Sequence, residues 1–400
     1  MAEAKKLVPK RRFKGFTDDW EKRKLSDVVD IIMGQSPDGS TYTNIPNDHI
    51  LVQGNADLKN GWVNPRVWTT QVTKKANAGD LIMSVRAPAG EMGKTAFNVV
   101  LGRGVAAIKG NEFIFQSLLK MNETGYWKKL SSGSTFDSLN SDNIRNAELY
   151  IPTQPEQDKL GTFFKTLDTL ITLHQRKLDK LKSTKKAYLS EMFPVEGESK
   201  PKRRFKGFSG DWEVRKLGNI AQIKDSARVP NVLWRREGVP YLRSSNLDST
   251  TNEFLYISQN DYEMYKSKTG APEFGDVLFN SGGNIGTAIL KTDVNPVYVQ
   301  DGAVLYVKTS VSKYLNGMFL KYYYETPTIK KYIVESCVGG TIKHFTLVPA
   351  NAMPILYPKI DEQKEIGFLF VKLDNLITLH QQKLDKLKHL KKSYLNEMFI

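Results

Sequence analysis

The 400-residue chain carries 58 Lys and Arg against 43 Asp and Glu, a formal net charge of +15, which suits a polyanionic partner. Its single cysteine, Cys337, excludes an intramolecular disulfide and an all-cysteine metal site and suits a reducing cytosol. No apolar run reaches bilayer length and MAEAKKLVPK lacks the apolar core of a secretory signal, so a cytoplasmic chain without a membrane span is expected.

The chain opens on KRRFKGFTDDWEKRKL at 10–25, followed by a long segment of short apolar runs and glycine turns. APAGEMGKT at 87–95 ends like a phosphate-binding loop, but that pattern needs a glycine where Pro88 stands. It reads as a turn beside a strand. EFIFQSLLKMN at 112–122 has the 3.6-residue apolar spacing of a helix. Gly133-Ser134-Thr135 and then Ile151-Pro152 close the segment.

From Leu160 the seam positions step by four and three: Phe164, Leu167, Ile171, His174, Leu178, Leu181, Lys185, Tyr188, Met192. Such heptad spacing, uninterrupted by Pro or Gly after Gly161, predicts one long helix over 156–193. PVEGESKP at 194–201 is a polar linker bounded by prolines.

The order then repeats. KRRFKGFSGDWEVRKL occupies 202–217, and DVLFN at 276–280 and AVLYVK at 303–308 read as strands. SGGNIG at 281–286 reads as a turn; it lacks dinucleotide-binding spacing. KYLNGMFLKYYYE at 313–325 reads as a helix, and Gly339-Gly340-Thr341 and Tyr357-Pro358 echo the close of the first segment. A second helical block, 362–399, repeats the first with Ile366, Phe370, Leu373, Ile377, His380, Leu384, Leu387, Lys391, Tyr394 and Met398.

The expected fold is therefore α+β. Two mixed α/β domains (10–152 and 203–359) are separated by two long helices (153–193 and 360–400), with 194–202 as linker. Two apolar stripes in one chain are most simply covered by packing on each other. A duplicated unit closing on a pseudo-two-fold axis makes that an antiparallel coiled coil. Its expected seam is Leu167, Ile171, His174, Leu178, Leu181 and Lys185 with Leu373, Ile377, His380, Leu384, Leu387 and Lys391. One register sets His174 against Lys391, Lys185 against His380, Leu178 on Leu387 and Leu167 on Met398. The histidines then mark register and are not ligands.

No GxSxG, HExxH, CxxC or Asn/Asp-Pro-Pro-aromatic motif occurs, and only His49, His344 and His389 remain outside the seam. No catalytic and no metal-ligating residue is expected; the chain reads as a binder and organiser.

The duplicated order resembles the specificity subunits of type I restriction–modification systems. RFKGF…W…KL precedes each variable domain, GST or GGT lies near its end, and EQ opens each helix. The resemblance implies two target-recognition domains that read a bipartite DNA target, with the helical pair as spacer ruler. It implies double-stranded DNA, two methyltransferase (modification) subunits and restriction/translocase subunits as partners. S-adenosylmethionine, ATP and Mg2+ would belong to those partners, and this chain would be non-catalytic.

Loops carrying Arg, Lys, Asn, Gln, Ser or Thr beside glycine are the candidate base readers. In the first domain these are Gln35, Ser36, Arg86, Lys94, Ser134 and Thr135. In the second they are Arg243, Ser244, Asn246, Asn280, Ser281, Asn284, Thr341, Lys343 and His344. A duplicated protein-binding scaffold and an RNA-binding module are the competing readings.

Overall fold

The computed structural model describes residues 7–46, 48–131, 137–248, 251, 253–339 and 343–400. The chain forms two compact units: Met1–Arg176 with Gln381–Ile400, and Lys177–His380. Each unit thus contains one mixed α/β domain together with part of each long helix.

In the first unit the strand Glu21–Lys24 pairs antiparallel with Glu148–Ile151, tying the start of the domain to its end. Among the described residues two sheets follow. One runs Ile31–Met33, Val105–Ile108, Leu81–Ser84, Met92–Lys94, Trp62–Val63, Leu58–Lys59; the other centres on His49–Val52 and Val99–Leu101. Leu81–Ser84 and Val105–Ile108 are buried at every residue, as continuous apolar runs covered on both faces should be. The helix Glu112–Glu123, capped by the Asn111 side chain on the Ile114 amide, packs on the first sheet.

The second unit repeats the plan. Glu213–Lys216 pairs with Pro354–Tyr357, and Val277–Asn280 lies between Val304–Val307 and Ala288–Leu290. A separate three-stranded sheet places Val239–Leu242 between Leu255–Ile257 and Tyr298–Val299. The strands expected at 276–280 and 303–308 form. The helix expected over 313–325 is shorter, Gly317–Tyr323. Ser312 Oγ accepts from the Tyr314 and Leu315 amides and holds those residues in a turn. Asn316 then caps the helix on the Phe319 amide.

The two long helices are Gln154–Glu191 and Ile360–Met398. The EQ that opens each one anchors it. Glu156 accepts both Nε and Nη2 of Arg12, each at 2.7 Å, and Glu362 accepts Nε and Nη2 of Arg204 at 2.6 and 2.7 Å. Gln157 donates to the Pro152 carbonyl and accepts from Asn111; Gln363 donates to the Pro358 carbonyl and accepts from the Asn316 amide. The preceding arginines reach the other helix: Arg11 pairs with Glu397 and Arg203 with Glu191. The repeated RRF is thus a clasp that joins the start of each domain to both helices of its unit.

Glycine in these helices marks a close crossing. A Cβ on Gly161 would stand 2.9 Å from Glu112 Cβ, and one on Gly367 2.6 Å from Met318 Cβ. The Met-Phe that ends each helical block fills the other copy's core. Phe399 stacks on Phe113 at 5.2 Å and meets Phe164 edge-on at 5.4 Å, while Phe193 lies 5.4 Å from Phe319 and 5.8 Å from Phe370. Within each unit, early residues of one helix therefore meet late residues of the other: the pair is antiparallel.

The residues expected at the seam differ in burial. Leu167, Leu178, Leu373, Leu384 and His380 are buried; Ile171, His174, Leu181, Lys185, Ile377, Leu387 and Lys391 are half-buried. The register of its lysines needs correction. Lys391 pairs with Asp168 at 2.7 Å, and Lys185 with Asp374 at 2.7 Å and Glu325 at 2.8 Å. Asp168 and Asp374 each lie six residues before the histidine expected opposite that lysine. A carboxylate offers an ammonium an opposite charge, which an imidazole does not, and in a half-buried seam that difference selects the pairing.

Candidate nucleic-acid interface

Both domains build the same loop junction beyond the end of their central strand. In the first, Ser84 exchanges backbone bonds with Glu91 and Gly90, Val85 donates to the Gly104 carbonyl, and Leu139 donates to Val85. In the second, Asn280 makes the matching bonds with Thr287 and Gly286, Ser281 donates to Ala303, and Phe345 donates to Ser281. Ser84 thus matches Asn280, Val85 matches Ser281 and Arg86 matches Gly282.

The residues on this shared frame differ. Arg86 is exposed, with its backbone bridged to Ser138. At the matching place Gly282 leaves room for the ring of His344. A Cβ there would meet His344 Cε1 at 3.0 Å and Nδ1 at 3.1 Å. One domain presents a guanidinium where the other presents an imidazole.

Three of the second domain's candidate loops converge. Asn280 Nδ2 donates to the Ser244 carbonyl at 3.0 Å, and Gly283 abuts Ser244 Oγ. Asn246 accepts from the Arg243 amide at 2.9 Å and donates to the Glu253 carbonyl at 3.0 Å, to which Arg243 Nη2 also donates. Arg243 Nε and Asn280 Oδ1 are buried without a hydrogen-bond partner among the described residues. Arg243, Ser244, Asn246 and His344 are half-buried; Asn284 and Lys343 are exposed. Asp225 accepts from the Ser226 amide and from that of Gly302, the residue before the Ala303 whose carbonyl Ser281 bonds. Burial holds its carboxyl above the usual range, and those amides only partly oppose the shift.

In the first domain exposed Gln35 donates its backbone N–H to the Leu101 carbonyl, and its backbone carbonyl accepts from Thr73 Oγ1 at 2.6 Å. Half-buried Ser36 accepts from the Arg103 amide at 3.2 Å. The turn at 102–104 links these residues to Arg86 through the bond from Val85 to Gly104.

Three expected base readers are corrected. Lys94 Nζ bonds both carboxylate oxygens of Glu112 at 2.5 and 2.7 Å and lies 4.1 Å from the Phe115 ring centre. Its charge is neutralised internally, so it cannot reach a groove without abandoning Glu112. Asn280 and Ser281 are 0% and 2% exposed, and they hold loops together where contact with a ligand was expected. Ser134, Thr135 and Thr341 lie outside the described residues.

Two features escaped the sequence reading. Gln53, Gly54 and Asn55 follow the strand His49–Val52 as Arg243 and Ser244 follow Val239–Leu242; Asp57 Oδ2 accepts the Gln53 amide at 2.7 Å. The signal was a buried apolar strand running straight into polar residues, as at LRSSN. Exposed Arg103, flanked by glycines on the same turn, was the other.

Residues 17–183 and 209–389 match the family model described as type I restriction modification DNA specificity domain. The chain belongs to that family. A specificity subunit of Methanocaldococcus jannaschii, from the type I restriction enzyme MjaVIII, is 22% identical over 95% of this chain and 92% of its own length. The putative MjaX specificity subunit of the same organism is 28% identical, over 43% of this chain and 42% of that protein. The solved type I restriction–modification S subunit from M. genitalium shares the fold, with a TM-score of 0.68 at 13% identity over 98% of this chain and 99% of that one. As a family member, this chain carries its two matched segments on the two domain-and-helix repeats. Among the described residues no helix is long and apolar enough to cross a membrane.

Proposed function

We propose that this family member is the DNA-reading subunit of a type I restriction–modification complex, with one half-site read by each recognition domain, 10–152 and 203–359. The observation that carries the reading is the shared loop junction with different tips: exposed Arg86 in one copy, His344 over Gly282 in the other. A common frame with exchanged side chains suits two readers of unlike sequences. Arg86, Arg103, Gln35, Asn284 and Lys343 are the exposed candidates for direct contact, since Arg pairs with guanine and Asn or Gln with adenine edges.

The helices carry the spacing. The 38 residues of Gln154–Glu191 span about 57 Å, more than the roughly 34–36 Å between successive major-groove faces. Their nearly identical outer faces would dock two methyltransferase subunits, with restriction/translocase subunits joining them. S-adenosylmethionine, ATP and Mg2+ would be held by those partners.

The test is a genome-wide map of methylated adenines in cells with and without this chain. Loss of one bipartite motif, two short half-sites around an unspecified spacer, is expected. An unchanged map would overturn the reading.

A further inference from the structure

The second unit carries a cleft of about 880 Å³ between the late part of Gln154–Glu191, the start of the helix Pro327–Ser336 and Ile360–Met398. Half-buried Leu189 and Ile377 give it an apolar floor, and Lys182, Lys186, Pro327 and Lys330 stand exposed on its rim. No carboxylate pairs with these three lysines among the described residues. Deeper charge is already balanced: Lys185 bonds Asp374 and Glu325, and Lys321 bonds the same two carboxylates.

The first unit handles the matching surface differently. The helical blocks correspond at an offset of 206, Glu156 to Glu362, and the helix crossings of Gly161 on Glu112 and Gly367 on Met318 keep that offset. Lys182 and Lys186 therefore match Lys388 and Lys392, and Leu189 matches Leu395; Pro327 and Lys330 lie beyond Gly317–Tyr323, on a separate helix that the first domain's longer Glu112–Glu123 does not parallel. Leu395 is 1% exposed, in a core that Leu119 and Met121 help to cover; Leu189 is only half-buried. The cause lies in local sequence. Glu112–Glu123 runs on for twelve residues, whereas Gly317–Tyr323 stops after seven and the chain restarts a helix at Pro327.

We infer that this cleft is a docking site for an acidic, partly apolar peptide segment of a partner subunit, present in the second unit and filled by the chain's own side chains in the first. The inference rests on the proposed docking of two modification subunits, and it makes their two positions unequal. An apolar floor inside a cationic rim suits a protein segment. A phosphate backbone would match the rim and leave the floor unused.

The test titrates the full chain with the purified modification subunit of the same system, followed by native mass spectrometry and calorimetry. The wild type takes up two copies with unequal dissociation constants. In Lys182→Glu/Lys330→Glu one constant weakens about tenfold or more, as expected for reversed steering charges at a docking rim. Lys182→Arg/Lys330→Arg retains wild-type binding, and Lys388→Glu leaves the constant attributed to the cleft unchanged. Circular dichroism melts establish that each variant folds, and Lys330→Gln serves if the double reversal does not. Two unchanged constants in the reversal variant overturn the inference and leave the proposed function standing. Unchanged partner binding with weakened binding of a non-specific duplex assigns the cleft to DNA and also overturns it. Absence of any uptake by the wild type overturns the docking reading and this inference together.

Discussion

Lys185 shows what one side chain contributes to the helix pair. Its side chain is 17% exposed, with the ammonium between Asp374 and Glu325, and the Tyr322 hydroxyl donates to the same Asp374 at 2.8 Å. Burial pushes the Asp374 carboxyl up, but the bonds from Lys185 and Tyr322 and the charge of Lys321 bring it below the usual range. Burial likewise opposes the Lys185 charge, and its two carboxylates overcome that and raise it. The depressed acid contributes stability above its unfolded pKa and loses it as pH falls through the folded value. The raised base contributes below its unfolded pKa and loses it as pH rises through the folded value. Lys185→Met should therefore destabilise by about 2 kcal/mol, the partial exposure reducing the cost of a broken buried pair. Urea midpoints should show this deficit across about pH 5 to 9 and a smaller one below about pH 3. At this scale the sequence marked Lys185 and Lys391 as seam positions but gave them the wrong partners. Asp168 and Asp374 fall beside the apolar stripe, and heptad spacing alone does not reveal which side chain reaches across.

The long helices were the most legible elements. Sustained apolar spacing and a lack of Pro or Gly beyond Gly161 and Gly367 predicted both, and 38 and 39 helical residues form. Short strands flanked by glycine were legible as well. The helix at 313–325 was read too long because Ser312 and Asn316 cap and turn the chain through side-chain bonds that apolar spacing does not register. If the helices set the spacer, inserting one heptad at matched places in both should lengthen it by about 10 Å, or three base pairs, at 1.5 Å per residue. Sequencing of methylated adenines should then report the same half-sites around a longer spacer. An unchanged spacer would remove the helices from that role.

For the whole molecule, the closed ties within each unit matter most. Arg11, Arg12 and Phe399 bind the first unit's domain to both helices, and Arg203, Arg204 and Phe193 do so in the second. Each domain therefore rests on its own clasp. Replacing 203–359 by the corresponding domain of another family member, with the helix-facing residues kept, should change one methylated half-site and spare the other. A map in which both half-sites change would show that the domains do not read independently.

The repeat, the two domains and the helical stripes follow from the sequence by itself, because repetition and apolar period are local properties of a chain. The candidate interface was legible only in outline. Polar residues beside glycines pointed to the loops at 35–36, 86, 243–246 and 344. Nothing local distinguished exposed Arg86 from Lys94, whose charge is neutralised by Glu112, or from Asn280, which is buried under the Ser244 loop. Tertiary structure decided those cases. Whether a charge faces water or a carboxylate depends on which distant segment the fold sets beside it, and the energy of that encounter is not written at the residue's own position.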